Sequence, residues 1–121
     1  SFRRHQLSMT LASEALSLGR QWVTDQIAQL ATNRAAVRSA LTTALGADSV
    51  FGGEGAIYLW AKLPPSASDD SAVVDYLVRE HGVTIIPGSA CGAPGYIRAA
   101  YANLEDAECA EAARRLEAGL T

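Results

Sequence analysis

The sequence predicts an α+β fold: a small three-stranded sheet covered by helices and preceded by a long helix. Two observations lead there. Up to Gly46, apolar side chains recur at spacings of three and four, as one face of a helix requires. Beyond it, short runs rich in β-branched and aromatic residues alternate with helical patterns, each bounded by glycine or proline.

Leu7, Leu11, Ala15 and Leu18 form the first helical stripe, which Gly19 interrupts. Val23, Ile27, Leu30, Val37, Leu41 and Leu45 form a second, unusually long one, with Gly46 as its stop signal. Arg34 falls on that stripe and needs a partner or a route to solvent. Gly52-Gly53-Glu54-Gly55 is a turn, and Ala56–Ala61 a strand apolar on both faces, hence central or buried. Pro64-Pro65 ends it, and Ser68 and Asp69 are candidate N-caps for a helix carrying Val73, Val74, Leu77 and Val78. Gly82 suits the left-handed position that closes that helix. Val83–Ile86 and Tyr96–Ala102 are predicted strands, joined by the loop Pro87–Gly95. Asn103 is the expected cap of a last helix whose inner face holds Leu116 and Leu120.

A chain of 121 residues, 49% hydrophobic and 19% charged, has the size and composition of one compact globular domain. A net charge of −3 argues against a nucleic-acid partner. The Arg3-Arg4 pair at the start reads as a flexible end. No apolar run reaches the roughly 20 residues that span a bilayer, and no signal-peptide pattern is visible. The chain opens on Ser1 and not on Met, so an upstream segment, with any targeting signal it holds, is expected. Cys91 and Cys109 belong to no CxxC or metal-ligand pattern and read as reduced thiols. That favours a reducing compartment, the cytoplasm or a plastid stroma.

Arg98 is the one charged residue in its strand. Alternation puts it on a face with Tyr96 and Ala100, opposite Ile97, Ala99 and Tyr101. No acidic residue neighbours it in the strand, so its partner comes from elsewhere in the fold or from a ligand, and a guanidinium suits a carboxylate through two parallel hydrogen bonds. On spacing alone, an arginine paired with a structural carboxylate or exposed on an edge comes first. In the loop before it, Gly88, Ser89, Cys91 and Gly92 could line a site or make a tight structural turn. Neither this loop nor Gly52–Gly55 has the spacing of a dinucleotide or P-loop motif. His5 and His81 lack metal-ligand spacing, Tyr58 and Trp60 read as core, and Glu54 has no partner for acid–base work. No metal site is expected.

Gly53-Glu54-Gly55-Ala56-Ile57-Tyr58-Leu59-Trp60, His81-Gly82-Val83, Ile86-Pro87-Gly88 and Pro94-Gly95-Tyr96-Ile97-Arg98 follow one another in this order. Together they resemble the end of a class I (fold type I) pyridoxal-phosphate aminotransferase. Residues 52–64 are most similar to the plant-type aromatic and methionine aminotransferases. The resemblance runs from Gln6 to Thr121; Ser1 to His5 stand outside it, and Cys91 replaces an aromatic residue common in the family. It implies that the chain is the C-terminal small domain, with Arg98 binding the substrate α-carboxylate and Gly88, Ser89, Cys91 and Gly92 in an entrance loop. The substrates implied are an amino acid and a 2-oxo acid. Pyridoxal 5'-phosphate is then held by a large domain upstream, with no catalytic or cofactor-binding residue in this chain. Lys62, the only lysine, closes a strand and does not match the family's Schiff-base lysine. The resemblance further implies a homodimer for the full-length enzyme, and a helix over residues 1–19 packed on the large domain. The rival expectation is an inactive truncated or split product that serves folding, dimerisation or partner binding. In either case the chain alone is expected to be inactive.

Overall fold

The computed structural model describes residues 2–121, with side chains from residue 5 onward. The side chains of the Arg3-Arg4 pair lie outside the described residues. The chain divides into two compact units, Ser1–Ala31 and Thr32–Thr121.

The first unit holds helices α1 (Phe2–Ser17) and α2 (Gly19–Ala28). They meet at Gly19, whose φ of +73° suits only glycine without strain. No side chain of α2 is buried. Leu7, Met9, Leu11, Leu16, Leu18, Trp22, Val23 and Ile27 are all exposed, far more apolar surface than a stable monomer leaves to water. The isolated chain is therefore expected to self-associate. A strictly monomeric species in sedimentation across the micromolar range would contradict this.

The long second helix of the sequence pattern is two helices. A turn at Gln29-Leu30, with Leu30 N–H donating to the Ile27 carbonyl (3.0 Å), separates α2 from α3 (Ala31–Leu45). No glycine or proline marks the break. Periodicity reports which face is apolar, not where the backbone ladder is interrupted. Arg34 has found its partner, the carbonyl of Gly53 at 2.9 Å, and Arg38 donates to that of Gly52. The glycine turn is thereby anchored to α3.

The second unit carries a four-stranded antiparallel sheet in the order β1-β2-β4-β3, from β1 (Val50–Gly52), β2 (Tyr58–Lys62), β3 (Ile86–Pro87) and β4 (Tyr96–Ala100). Helices α4 (Asp70–Tyr76) and α5 (Asp106–Leu120) complete it. The sheet differs from expectation in several places. The additional strand, β1, has three residues and exists through its pairing with β2. Residues Ala56 and Ile57 stand outside β2: Ala56 has φ +55°, and its carbonyl accepts from the Tyr101 hydroxyl (2.9 Å). Val83 and Ile85 are buried but unpaired, so that β-branched run reflects burial and not a ladder. Asn103 does not cap α5, whose N-cap position is Glu105. Asp69 does cap α4, accepting from Ala72 N–H at 3.0 Å, and Gly82 closes that helical segment with φ +64°.

Leu59 and Ala61 of β2 and Ile97 and Ala99 of β4 point to one face and are buried. They join Val37, Ala40 and Leu41 of α3, Leu77 after α4, and Cys109, Ala113 and Leu116 of α5 in the core. Full burial of a leucine or isoleucine contributes roughly 1.5–3 kcal/mol, so this face carries the unit's hydrophobic stability. The other face of the sheet is left open, and Tyr58 and Trp60, expected in the core, stand half-buried on it. No described helix is long and apolar enough to cross a membrane.

Candidate functional site

The open face is set by strand parity. Trp60 pairs with both Phe51 and Arg98, and Arg98 with Ile86, so a row Phe51–Trp60–Arg98–Ile86 crosses the sheet. Tyr58 and Lys62 of β2 and Tyr96 and Ala100 of β4 flank that row. Arg98 is half-buried in it. Its guanidinium carbon lies 4.5 Å from the centre of the Tyr58 ring, a cation–π contact that contributes on the order of 1 kcal/mol.

What this arginine lacks is a carboxylate. The ion pairs among the described residues are Arg79–Asp75 and those of Arg114 and Arg115 with Glu111. None of the side chains sharing the open face is acidic. The Nε of Arg98 is buried without a hydrogen-bond partner. A guanidinium offers five N–H donors in a planar fork, and among the described residues the buried Nε–H finds no acceptor. The arrangement can receive a planar anion.

Past Trp60 and Tyr96, away from Arg98, Phe51, Trp60 and Tyr96 line a shallow, open hollow of about 310 Å³, bordered on the loop side by Cys91 and Ala93. Tyr96 meets Trp60 edge to face (6.5 Å between centroids) and Phe51 at a tilt (6.4 Å). The loop makes a tight helical turn over Gly88–Cys91 and leaves it through Gly92 at φ +78°. Gly88 is buried, Ser89 and Gly92 are exposed, and Cys91 is a free, exposed thiol. The other free thiol, Cys109, is buried, and burial raises its pKa, with Asp106 adding to the rise.

One residue of this site escaped the sequence. Asp70, only 4% exposed, accepts hydrogen bonds from Ser89 N–H (2.9 Å), the Ser89 hydroxyl (2.7 Å) and Gly95 N–H (2.9 Å), with the Ser71 hydroxyl at 3.4 Å. It holds the loop at both ends. Its neighbour Asp69 was the visible capping candidate, and nothing in the local pattern shows which of two adjacent aspartates turns inward. The Ser89 hydroxyl above all, then the backbone N–H groups of Ser89 and Gly95, lower the Asp70 pKa, against a desolvation that raises it. A carboxylate whose pKa is depressed on folding stabilises the fold fully above its unfolded pKa and loses that contribution as pH falls through the folded value. The loss therefore belongs below the ordinary aspartate value of 3.8. The thermal midpoint of the chain is expected to drop more steeply there than that of Asp70→Asn; parallel curves would exclude the linkage.

Lys62 is exposed at the end of β2, opposite Tyr96, and no carboxylate on the same sheet face could pair with a pyridinium nitrogen.

Residues 5–116 match the family model described as aminotransferase class I and II. The chain is 47% identical over 114 residues to aromatic aminotransferase ISS1 of Arabidopsis thaliana, a match covering 94% of this chain and 29% of that protein. Its fold is similar to part of the aromatic aminotransferase from Pyrococcus horikoshii OT3, with a TM-score of 0.70 at 24% identity over 81% of this chain and 26% of that one. It is equally similar to the aspartate aminotransferase from Rhizobium meliloti, with a TM-score of 0.70 at 25% identity over 90% of this chain and 30% of that one. The chain thus spans less than a third of the length of these relatives.

Proposed function

We propose, because the chain belongs to the aminotransferase class I and II family, that it is the substrate-carboxylate-binding C-terminal domain of an enzyme moving an amino group between an amino acid and a 2-oxo acid. The observation that carries this reading is Arg98: half-buried, stacked on Tyr58, with a buried Nε that has no hydrogen-bond partner among the described residues. The α-carboxylate common to amino and 2-oxo acids is the planar anion such a fork binds with two parallel hydrogen bonds. The 47% identity to a protein named as an aromatic aminotransferase makes an aromatic amino acid the substrate to try first, with methionine next.

In this reading the electron sink is pyridoxal 5'-phosphate, held on a lysine of a large domain outside this chain. The present residues bind and orient. Arg98 fixes the carboxylate and so limits the poses the amino group can take, which is catalysis by orientation. Gly88, Ser89, Cys91 and Gly92 form the rim of the entrance, where a closing small domain excludes water. A homodimer in a reducing compartment completes the proposal.

The test is direct. The chain alone, mixed with pyridoxal phosphate and phenylalanine or methionine, is expected to give no 2-oxo acid. Turnover by the chain alone would refute the placement of the lysine in another domain.

A further inference from the structure

We propose that Asp70 is a positioning residue for the carboxylate site: it holds the 88–95 loop at both ends and, through Gly95, the entry to the strand that carries Arg98. This rests on the reading of Arg98 as the carboxylate ligand. Burying a carboxylate is costly unless hydrogen bonds replace its water. Around Asp70 the replacements come from the loop itself: two backbone N–H groups and one hydroxyl, all within 2.9 Å. The site-side consequences are specific. Gly95, held by Asp70 through its N–H, accepts from Leu63 N–H through its carbonyl (2.9 Å). The carboxylate ties the start of α4 to the loop, and the Gly95 carbonyl ties the loop to Leu63 just past β2, immediately before β4 begins. Between the two tethered points lie Cys91 and Ala93, the loop-side wall of the hollow next to Trp60, which pairs with Arg98 across the sheet.

Without Asp70 the loop wall and the entry to β4 lose their fixed place, while no group that performs chemistry is removed. Arg98 itself stays paired in the sheet and still orients a bound substrate, so binding should suffer and turnover should not. Aspartate at this position can be replaced by asparagine with the geometry largely kept. The carboxamide oxygen accepts from both backbone N–H groups, and its NH2 donates to the Ser89 hydroxyl oxygen, which can also accept.

The experiment is steady-state kinetics of the full-length enzyme with Asp70→Ala, Asp70→Asn and Arg98→Ala in parallel. Leaving buried donors unpaired is expected to raise KM about tenfold in Asp70→Ala with kcat within about twofold, and Asp70→Asn to recover to within about threefold of the parent KM. A general loss of folded enzyme would instead lower kcat at unchanged KM, and that result overturns the proposal, as does a KM within twofold of the parent. If Asp70→Ala fails to fold, Ser89→Ala decides: it removes only the hydroxyl donor, and an unchanged KM overturns the proposal where a rise of about threefold supports it. A kinetic loss in Arg98→Ala without one in the Asp70 variants would sink the positioning role alone; no loss in Arg98→Ala would sink the carboxylate reading itself.

Discussion

Replacing Arg98 by alanine in the full-length protein is expected, on the proposed function, to lower kcat/KM for an amino-acid substrate by roughly two to three orders of magnitude, the effect of removing one partner of a desolvated, hydrogen-bonded charge pair. The size follows from the environment. Arg98 is half-buried, its guanidinium lies 4.5 Å from an aromatic ring centre, and it forms no ion pair among the described residues. A substrate carboxylate bound there, as proposed, would meet an Nε–H that has already lost its water, so less of the interaction would be cancelled by desolvation of the arginine on binding. Arg98→Lys should recover only part of the loss: lysine keeps the charge but lacks the planar fork and stacks poorly on Tyr58. If the clamp also orients the amino acid, kcat falls together with the rise in KM. A kcat/KM for Arg98→Ala within about twofold of the parent would remove Arg98 from the site.

The second large effect is on stability. Gly88→Ala is expected to destabilise the chain by about 3 kcal/mol, the upper range for forcing an atom into filled space. A Cβ on Gly88 would fall on the carbonyl oxygen of Ala93, 2.6 Å from the carbonyl oxygen of Tyr96 and 2.9 Å from the Tyr96 Cβ. Two of these are backbone atoms, which cannot swing away like the end of a side chain. The loop cannot drift either: Ala93 N–H donates to the Gly88 carbonyl at 2.8 Å, and Asp70 grips Ser89 and Gly95. Two neighbours in kind make the comparison sharp. Gly92→Ala meets open space but sits at φ +78°, so it should cost only the roughly 1–2 kcal/mol of a left-handed residue. Gly55→Ala meets open space without that constraint and should be close to neutral. Denaturant midpoints for the three variants check the order; Gly88→Ala as mild as Gly55→Ala would disprove the packing argument.

That Arg98 shares a face with Tyr96 and Ala100 followed from strand parity, because a period of two is local and needs no knowledge of partners; that this face is the open one did not, and Tyr58 and Trp60 were expected in the core. The caps at Asp69 and Gly82 were readable for the same reason: each depends on a few adjacent residues. The β-branched run at Val83–Ile86 misled, since burial and ladder pairing select the same side chains, and only Ile86 and Pro87 are paired. Strand β1 was invisible because three residues carry almost no pattern; β2 alone makes them a strand.

By itself, then, the sequence determined the α+β class, the parity of the strand bearing Arg98, and the glycine-rich loop in front of it, all properties carried by neighbouring residues. The family resemblance it also carried is shown by the match over residues 5–116. Only the tertiary structure decided that Arg98 stands on Tyr58 without a carboxylate, and that Asp70 and not its neighbour turns inward to hold the loop. Those are matters of which distant groups meet. Asp70 and Gly95 lie 25 residues apart, and no local periodicity encodes a contact at that separation.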